Sequence, residues 1–208
     1  MRWYVAPTPD AVNAVARDAR RPTFSSGART LVPEDVGGVV LMAPSAWVVE
    51  QVTVEVGAEV LDVACGQGRH ARFLAGAGAT VTAVDRDPLA AAALAGTPGI
   101  TFVLADLERD AWPFAGRRFA LVVITNYLHR PLFPDLLGAV APGGRLVYET
   151  FAVGNERFGR PSNPDFFLRP GELLTVIAGR LEVVAYEERE VDLPRPAMIQ
   201  RICAVKPP

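Results

Sequence analysis

From Glu59 onward the chain alternates short apolar runs with segments of helical pattern, and this alternation constrains the fold more than any other feature. Continuous apolar strands separated by helices are typical of a parallel sheet that is covered on both faces. We therefore predict an α/β fold with a doubly wound, mostly parallel, seven-stranded sheet, whose ligand binds beyond the carboxyl ends of the strands. The predicted strands span residues 59–65, 80–85, 100–106, 119–125, 145–150, 181–191 and 197–206, and the predicted helices span residues 68–78, 87–96, 132–140 and 171–180.

Three segments depart from this alternation. Residues 1–45 are the least regular part, and we expect a lid-like segment there, ahead of a core of residues 46–208 in the same single domain. Residues 151–169 are rich in Gly, Pro and Asn and too long for an ordinary connection, so they are predicted to be a substrate loop. The connection at residues 192–196 is too short for a crossover helix, so the last two strands should pair antiparallel.

The turn after the first predicted strand has the pattern of a nucleotide-like cofactor site. Gly66 and Gly68 follow the strand and allow a ligand to approach the backbone before the next helix begins. A dinucleotide would place its pyrophosphate there, and the nearby carboxylate of Asp62 would repel it. S-adenosylmethionine carries an ammonium group, which a carboxylate attracts. Asp62 therefore favours S-adenosylmethionine.

Two further acidic residues end the next two predicted strands. Asp85 can accept both hydroxyls of a ribose, as it could in a dinucleotide enzyme too. Asp106 can accept the amino group of adenine while the backbone N–H of Leu107 meets a ring nitrogen. Aspartates at such positions also serve as helix caps and turn formers, which is the alternative for each of them.

With these motifs in place, the sequence resembles the class I S-adenosylmethionine-dependent methyltransferases, which have a Rossmann-like fold. The segment VLDVACGQGRH is similar to their first motif, VTAVD to the second and FVLADL to the third, and APGGRLVYET is similar to their Pro-Gly-Gly turn and strand. The resemblance covers about residues 60–206. Within the class, the chain looks most like the small tellurite-resistance-type methyltransferases, through ACGQGRHARFLA, PGELL and its last two strands.

The resemblance implies roles for several positions. The methionine moiety would be held by Asp62, Ala64, Gly66 and Gly68, and the fourth strand end, from Thr125 to Tyr127, would line the transfer site. The ribose and adenine would be flanked by Asp85, Arg86, Asp106 and Leu107.

The acceptor side offers fewer signals. Tyr127 could contact the sulfonium through its ring, or be a packing residue. His129 is the histidine next to the transfer-site motif and would accept a proton from a hydroxyl or amine acceptor; the alternative is an exposed residue at a helix start. Arg130, Arg157 and Arg160 could attract an anionic acceptor, or lie on a solvated loop. A soft acceptor such as a thiol or chalcogen oxyanion would need no general base.

Composition excludes some classes of function. The formal net charge of −2 argues against a nucleic-acid backbone as partner. Lys206 is the only lysine, which leaves little scope for Schiff-base or P-loop chemistry, and the cysteines have no metal-ligand spacing. Without an apolar span or a secretion signal, we expect a cytoplasmic monomer or homodimer that acts on a small molecule, with neither a membrane nor a metal involved.

Two alternatives to a methyltransferase stay open at this point. A NAD-dependent oxidoreductase would use the same glycines, but it would not explain Asp62 and Asp106. A non-catalytic partner subunit would bind S-adenosylmethionine without turning it over. Both differ from the favoured function in a ligand or a reaction that can be measured.

Overall fold

A computed structural model describes residues 43–192 and 194–208, and residues 44–208 form one compact unit. The predicted lid-like segment, residues 1–45, lies almost wholly outside the described residues. Its last residue, Ser45, caps the first described helix, α1 (Ala46–Gln51), by accepting a hydrogen bond from the Trp47 backbone N–H at 3.2 Å.

The sheet of the described unit has seven strands in the order β3-β2-β1-β4-β5-β7-β6. Strand β7 runs antiparallel to both β5 and β6, whereas the pairs among β1 to β5 are parallel. This confirms the predicted mostly parallel sheet with an antiparallel pair at the end of the chain. The strands are β1 (Glu59–Val63), β2 (Thr80–Asp85), β3 (Ile100–Leu104), β4 (Phe119–Thr125), β5 (Val140–Phe151), β6 (Glu182–Val191) and β7 (Ala197–Val205).

Helices flank the sheet between these strands: α2 (Arg69–Gly76), α3 (Pro88–Leu94), α4 (Phe133–Ala139) and α5 (Glu172–Ile177), with short 3₁₀ turns at Arg130–Leu132, Asn155–Phe158 and Pro164–Phe166. Helix α3 begins as predicted, because the Asp87 side chain accepts from the Leu89 N–H at 2.8 Å and Pro88 has no N–H that would need an acceptor. In the described part of the chain, no helix has both the length and the apolar character to cross a membrane.

Each face of the sheet has its own hydrophobic core. Leu61 and Val63 of β1 point into one core with Val122 and Ile124 of β4, and Val60 of the same strand points into the other. Both sets are fully buried. A strand with two buried faces needs apolar residues at nearly every position, which explains the continuous runs of the sequence. Asp62, on the same face as Val60, is the exception in β1.

Strand β5 begins five residues earlier than predicted. Val140 pairs with Phe119, and after a shift of register Arg145 pairs with Leu121, so the Pro-Gly-Gly segment forms an irregularity inside the strand rather than a free turn. Gly144 fits there because a Cβ would lie 2.9 Å from the carbonyl oxygens of Ala141 and Phe119. The apolar pattern did not reveal this pairing, since it depends on the backbone approach that Gly144 allows.

Candidate functional site

A cavity of about 390 Å³ lies at the carboxyl ends of the parallel strands, and its size is typical of a small-molecule site. Six of the predicted site residues line it: Ala64, Asp85, Arg86, Asp106, Leu107 and Tyr127. They come from the ends of β1 to β4, which the parallel order brings to one edge of the sheet. The other lining residues are Ala105, Glu108, Asn126, Leu128, Thr150, Phe151, Pro161 and Phe166.

Asp85 joins the glycine turn to the cavity wall. Its Oδ2 accepts from the Gly66 backbone N–H at 2.8 Å, and its Oδ1 accepts from the Asp87 backbone N–H at 2.9 Å. Each carboxylate oxygen has a further lone pair for a ligand hydroxyl. Asp85 therefore shapes the turn and also lines the cavity, while its contact with a ribose stays a prediction.

Asp106 is placed in a similar way. Its Oδ1 accepts from the Glu108 backbone N–H at 3.0 Å, and its Oδ2 lies 3.9 Å from an Arg86 nitrogen and 3.8 Å from one of Arg109. The carboxylate stays on the cavity wall with a capacity for further donors. Arg86 is thereby drawn toward the same end of the cavity.

Two residues of the wall have strained backbone. Ala64 has φ of 51° and Asn126 has φ of 55°, and they are the non-glycine residues with positive φ in the described part of the chain. Both line the cavity, one after β1 and one after β4. Alanine in this region costs about 1 kcal/mol, and such strain is concentrated at ligand sites. The Asn126 N–H is bonded to the Glu149 carbonyl at 2.9 Å, which fixes this turn to β5.

Asp62 occupies a different environment. It is 1% exposed and absent from the cavity lining among the described residues, and its Oδ2 has no partner there. Burial raises the pKa of Asp62 to about 7, while the Ala71 backbone N–H of α2 and the charge of Arg69 oppose that rise and Asp85 adds to it. The carboxylate thus lies beneath the turn and against the first turn of α2. Its contact with an ammonium group stays a prediction.

Thr125 is also buried behind the wall, in a chain of hydrogen bonds that no sequence pattern indicated. The Ser45 backbone N–H donates to Nε2 of His70 at 3.0 Å, and Nδ1 of His70 lies 3.3 Å from the Thr125 hydroxyl. Since Nε2 accepts, the proton of the neutral ring is on Nδ1. The Ser45 hydroxyl donates to Glu149 at 2.8 Å, so His70 and Ser45 join α1, α2 and two strand ends.

Burial and the charge of Arg69 lower the pKa of His70 to about 3, against an ordinary 6.5, whereas the pKa of Asp62 rises from 3.8 to about 7. The stability due to His70 is complete above pH 6.5 and is lost as pH falls toward 3; that due to Asp62 is complete below pH 3.8 and is lost as pH rises through 7. Between about pH 4 and 6.5 the two effects oppose each other.

This opposition predicts different pH dependences for two variants. In Asp62→Asn, only the pH dependence that is due to His70 remains. The free energy of unfolding of this variant, relative to the wild type, should therefore fall on acidification by up to about 1.4 kcal/mol per pH unit. His70→Gln leaves the Asp62 effect, so its relative stability should rise on acidification. Urea unfolding at pH 4.5, 5.5 and 6.5 measures both, and parallel curves for the three proteins would contradict the assignment.

Gly66 and Gly68 belong to the turn that follows Ala64, and neither lines the cavity. The two glycines differ in the space around them. Gly66 has φ of 52° with open space, whereas Gly68 has φ of 80° and a Cβ there would collide with the Leu94 side chain of α3.

The two glycines form a matched pair for substitution. Gly66→Ala should cost about 1–2 kcal/mol of unfolding free energy for its backbone conformation alone. Gly68→Ala should cost about 1–3 kcal/mol more, because Leu94 must move. Chemical denaturation of both variants measures the difference, and equal losses would show that the Leu94 contact does not matter.

The four remaining predicted residues do not line the cavity. His129 is half-buried before the 3₁₀ turn Arg130–Leu132. Arg157 is exposed and pairs with Glu190, with its guanidinium 4.8 Å from the centre of the Phe158 ring, and Arg160 is exposed.

Arg130 ties the predicted substrate loop to the sheet. Its Nε and Nη2 donate to the Glu172 carboxylate at 2.6 and 2.9 Å, its Nη1 donates to the Asp165 carbonyl at 3.0 Å, and its Nη2 also donates to the Phe167 carbonyl at 2.8 Å. All three nitrogens thus have protein acceptors, on both sides of Phe166. The sequence missed Phe166, Phe151 and Pro161 as individual residues, although the composition of the loop had indicated binding.

No group of three or more His, Cys, Asp or Glu side chains within residues 43–192 and 194–208 has an arrangement that could hold a metal ion. The charged side chains that line the cavity are Asp85, Arg86, Asp106 and Glu108.

Comparison with known proteins gives the following matches. Residues 60–144 match the family model of a methyltransferase domain. A curated relative, malonyl-[acyl-carrier protein] O-methyltransferase of Pseudescherichia vulneris, is 37% identical over 105 residues, which are 47% of this chain and 41% of that protein. The match therefore spans less than half of the relative.

Two solved structures share the fold. TehB from Haemophilus influenzae matches with a TM-score of 0.60 and 21% identity, over 72% of this chain and 58% of that one. A TehB-like S-adenosylmethionine-dependent methyltransferase from Corynebacterium glutamicum matches with a TM-score of 0.53 and 25% identity, over 74% of this chain and 82% of that one.

Proposed function

We propose that this chain, which carries a class I S-adenosylmethionine-dependent methyltransferase domain, transfers a methyl group from S-adenosylmethionine to a small-molecule acceptor. The domain match and the shared fold confirm the class that the motifs predicted, and S-adenosylmethionine is the cofactor of that class. When bound, it supplies an electrophilic methyl group on a sulfonium.

The observation that carries the proposal is the meeting of four motif ends on one cavity. Ala64, Asp85, Asp106 and Tyr127 stand at or just after the ends of four different strands and line the same space. The residues fit the cofactor: Asp85 would accept the ribose hydroxyls, Asp106 the adenine amino group, and the turn at Ala64 would lie against the methionine moiety. The buried Tyr127 hydroxyl has no partner among the described residues, which suits a wall that a ligand completes.

The chain's own part in the reaction is positioning. The sheet fixes the carboxylates, and Arg130, paired with Glu172, holds the loop on both sides of Phe166. Alignment and exclusion of water can supply much of the rate of a displacement. A general base is not part of this proposal, since His129 lies off the cavity.

Calorimetry with S-adenosylmethionine, S-adenosylhomocysteine and NADH tests the cofactor, and formation of S-adenosylhomocysteine over a panel of acceptors tests the reaction. Binding of the first two ligands together with turnover is the expected result. Binding of NADH alone would favour the oxidoreductase alternative. Tight S-adenosylmethionine binding with no turnover over a broad acceptor panel would favour a non-catalytic subunit.

A further inference from the structure

The cavity has two chemically different ends, and this inference about its acceptor rests on the proposed function. The carboxyl ends of β2 and β3 supply the charged lining residues. The ends of β4 and β5 and the loop supply a second part of the lining, here called the acceptor end: Asn126, Tyr127, Thr150, Phe151, Pro161 and Phe166, of which Tyr127 lies next to the charged residues. Three of these six side chains are aromatic, and none of the six carries a formal charge.

The described arginines that could have served an anionic acceptor are committed elsewhere or lie off the cavity. Arg130 donates from all three nitrogens to Glu172 and to two loop carbonyls. Arg157 pairs with Glu190 and stacks on Phe158, and Arg160 is exposed and absent from the lining. Within the described residues, the lining of the acceptor end therefore supplies no cation to an anion; Arg195 lies outside the lining, with its guanidinium 5.7 Å from the centre of the Phe151 ring.

Within the described residues, the acceptor end also has no histidine or carboxylate to take up a proton. His70 is one of the two histidines of the chain; it is buried, and both of its ring nitrogens face protein partners, Ser45 and Thr125. His129 is the other, and it does not line the cavity. Burial raises the pKa of the Tyr127 phenol, so Tyr127 stays protonated and cannot serve as a base at neutral pH.

We propose that the acceptor is a neutral, largely apolar molecule whose nucleophilic atom has a lone pair and carries no proton, such as a pyridine-type ring nitrogen or a dialkyl sulfide or selenide. The lone pair forms the new bond to the methyl carbon, and the electron pair of the broken carbon–sulfur bond stays on the departing sulfur. The product is an onium cation, S-adenosylhomocysteine leaves neutral at sulfur, and no proton is released.

The aromatic side chains suit such a product. A cation next to the faces of Tyr127, Phe151 or Phe166 is attracted by the ring quadrupole, and this attraction grows as positive charge passes to the acceptor. Flat heteroaromatic molecules would also stack on these rings. The same side chains offer a thiolate or chalcogen oxyanion hydrogen-bond donors in Asn126, Tyr127 and Thr150, but no cation within the lining.

The reaction test compares quinoline and dimethyl selenide with a thiol, selenite and aniline, following S-adenosylhomocysteine and the methylated product by mass spectrometry. We expect kcat/KM at least tenfold higher for the first two compounds, with a rate that is flat from pH 6.5 to 9. A higher kcat/KM for the thiol, for selenite or for aniline would overturn the inference and leave the proposed function intact. Quinoline and dimethyl selenide, compared with each other, distinguish the nitrogen from the chalcogen acceptor.

A binding test is independent of turnover. N-methylquinolinium is titrated into the protein saturated with S-adenosylhomocysteine, and Phe166→Leu is expected to weaken its binding at least threefold. Phe158→Leu is the matched control, because Phe158 stacks on Arg157 outside the cavity lining. Absence of N-methylquinolinium binding, or equal binding by all three proteins, would overturn the inference. Loss of S-adenosylhomocysteine binding itself would instead contradict the proposed function.

Discussion

Replacement of Asp85 by alanine is expected to weaken S-adenosylmethionine binding by about 2–4 kcal/mol, roughly 30- to 1000-fold in Kd. Two effects add in this variant. The Gly66 and Asp87 N–H groups lose their acceptor, so the turn that carries Ala64 is no longer fixed. The proposed ribose contact is removed as well. Isothermal titration calorimetry measures the change directly.

Asp87→Ala is the matched control, because Asp87 is two residues away, caps α3 and does not line the cavity. It should lower the free energy of unfolding by about 1 kcal/mol while cofactor affinity is retained. Asp85→Asn should also lose affinity, since an amide has one acceptor oxygen and cannot serve both backbone donors. An unchanged Kd in Asp85→Ala would remove this residue from the cofactor site.

The first four strands and the carboxyl-end location of the cavity follow from the sequence for a simple reason. Strands buried on both faces, such as β1 and β4, leave a continuous apolar run, and Asp85 and Asp106 stand where such runs end. The sequence indicates the start of helix α3 through the N-cap residue Asp87 and Pro88 at the first helical position. These signals are local, so a single sequence carries them.

The rest of the site depends on contacts between distant parts of the chain. Thr150 and Phe166 line the cavity because β5 and the substrate loop lie next to the end of β4 in the folded chain. No local sequence pattern predicts this proximity. The sequence indicated Arg130 as an anion-binding residue. Its partner Glu172 lies 42 positions later, so no local pattern indicates this ion pair. Asp62 was predicted near the end of the first strand, facing an ammonium group, and its burial beneath the turn depends on how α2 packs on β1.

A second group of hydrogen bonds holds the C-terminal end of the substrate loop, and the side chain of Gln200 of β7 lies at its centre. This side chain is 0% exposed. Its Oε1 accepts from the Leu173 N–H at 2.7 Å, and its Nε2 donates to the Arg169 carbonyl and to Glu188, both at 3.0 Å. One amide therefore joins the loop end, α5 and β6.

Gln200→Leu is expected to lower the free energy of unfolding by about 3–5 kcal/mol, because leucine fills a similar volume while three hydrogen bonds are lost and the buried backbone N–H of Leu173 is left unpaired. Urea unfolding measures the loss, with Gln67→Leu, at an exposed position, as the control that should stay within about 0.5 kcal/mol of the wild type. Hydrogen exchange should show faster exchange at Leu173 than in β1, since the loop end opens while the centre of the sheet stays closed. A loss below 1 kcal/mol, or exchange raised equally in both places, would mean that Arg130 and Glu172 hold the loop without Gln200.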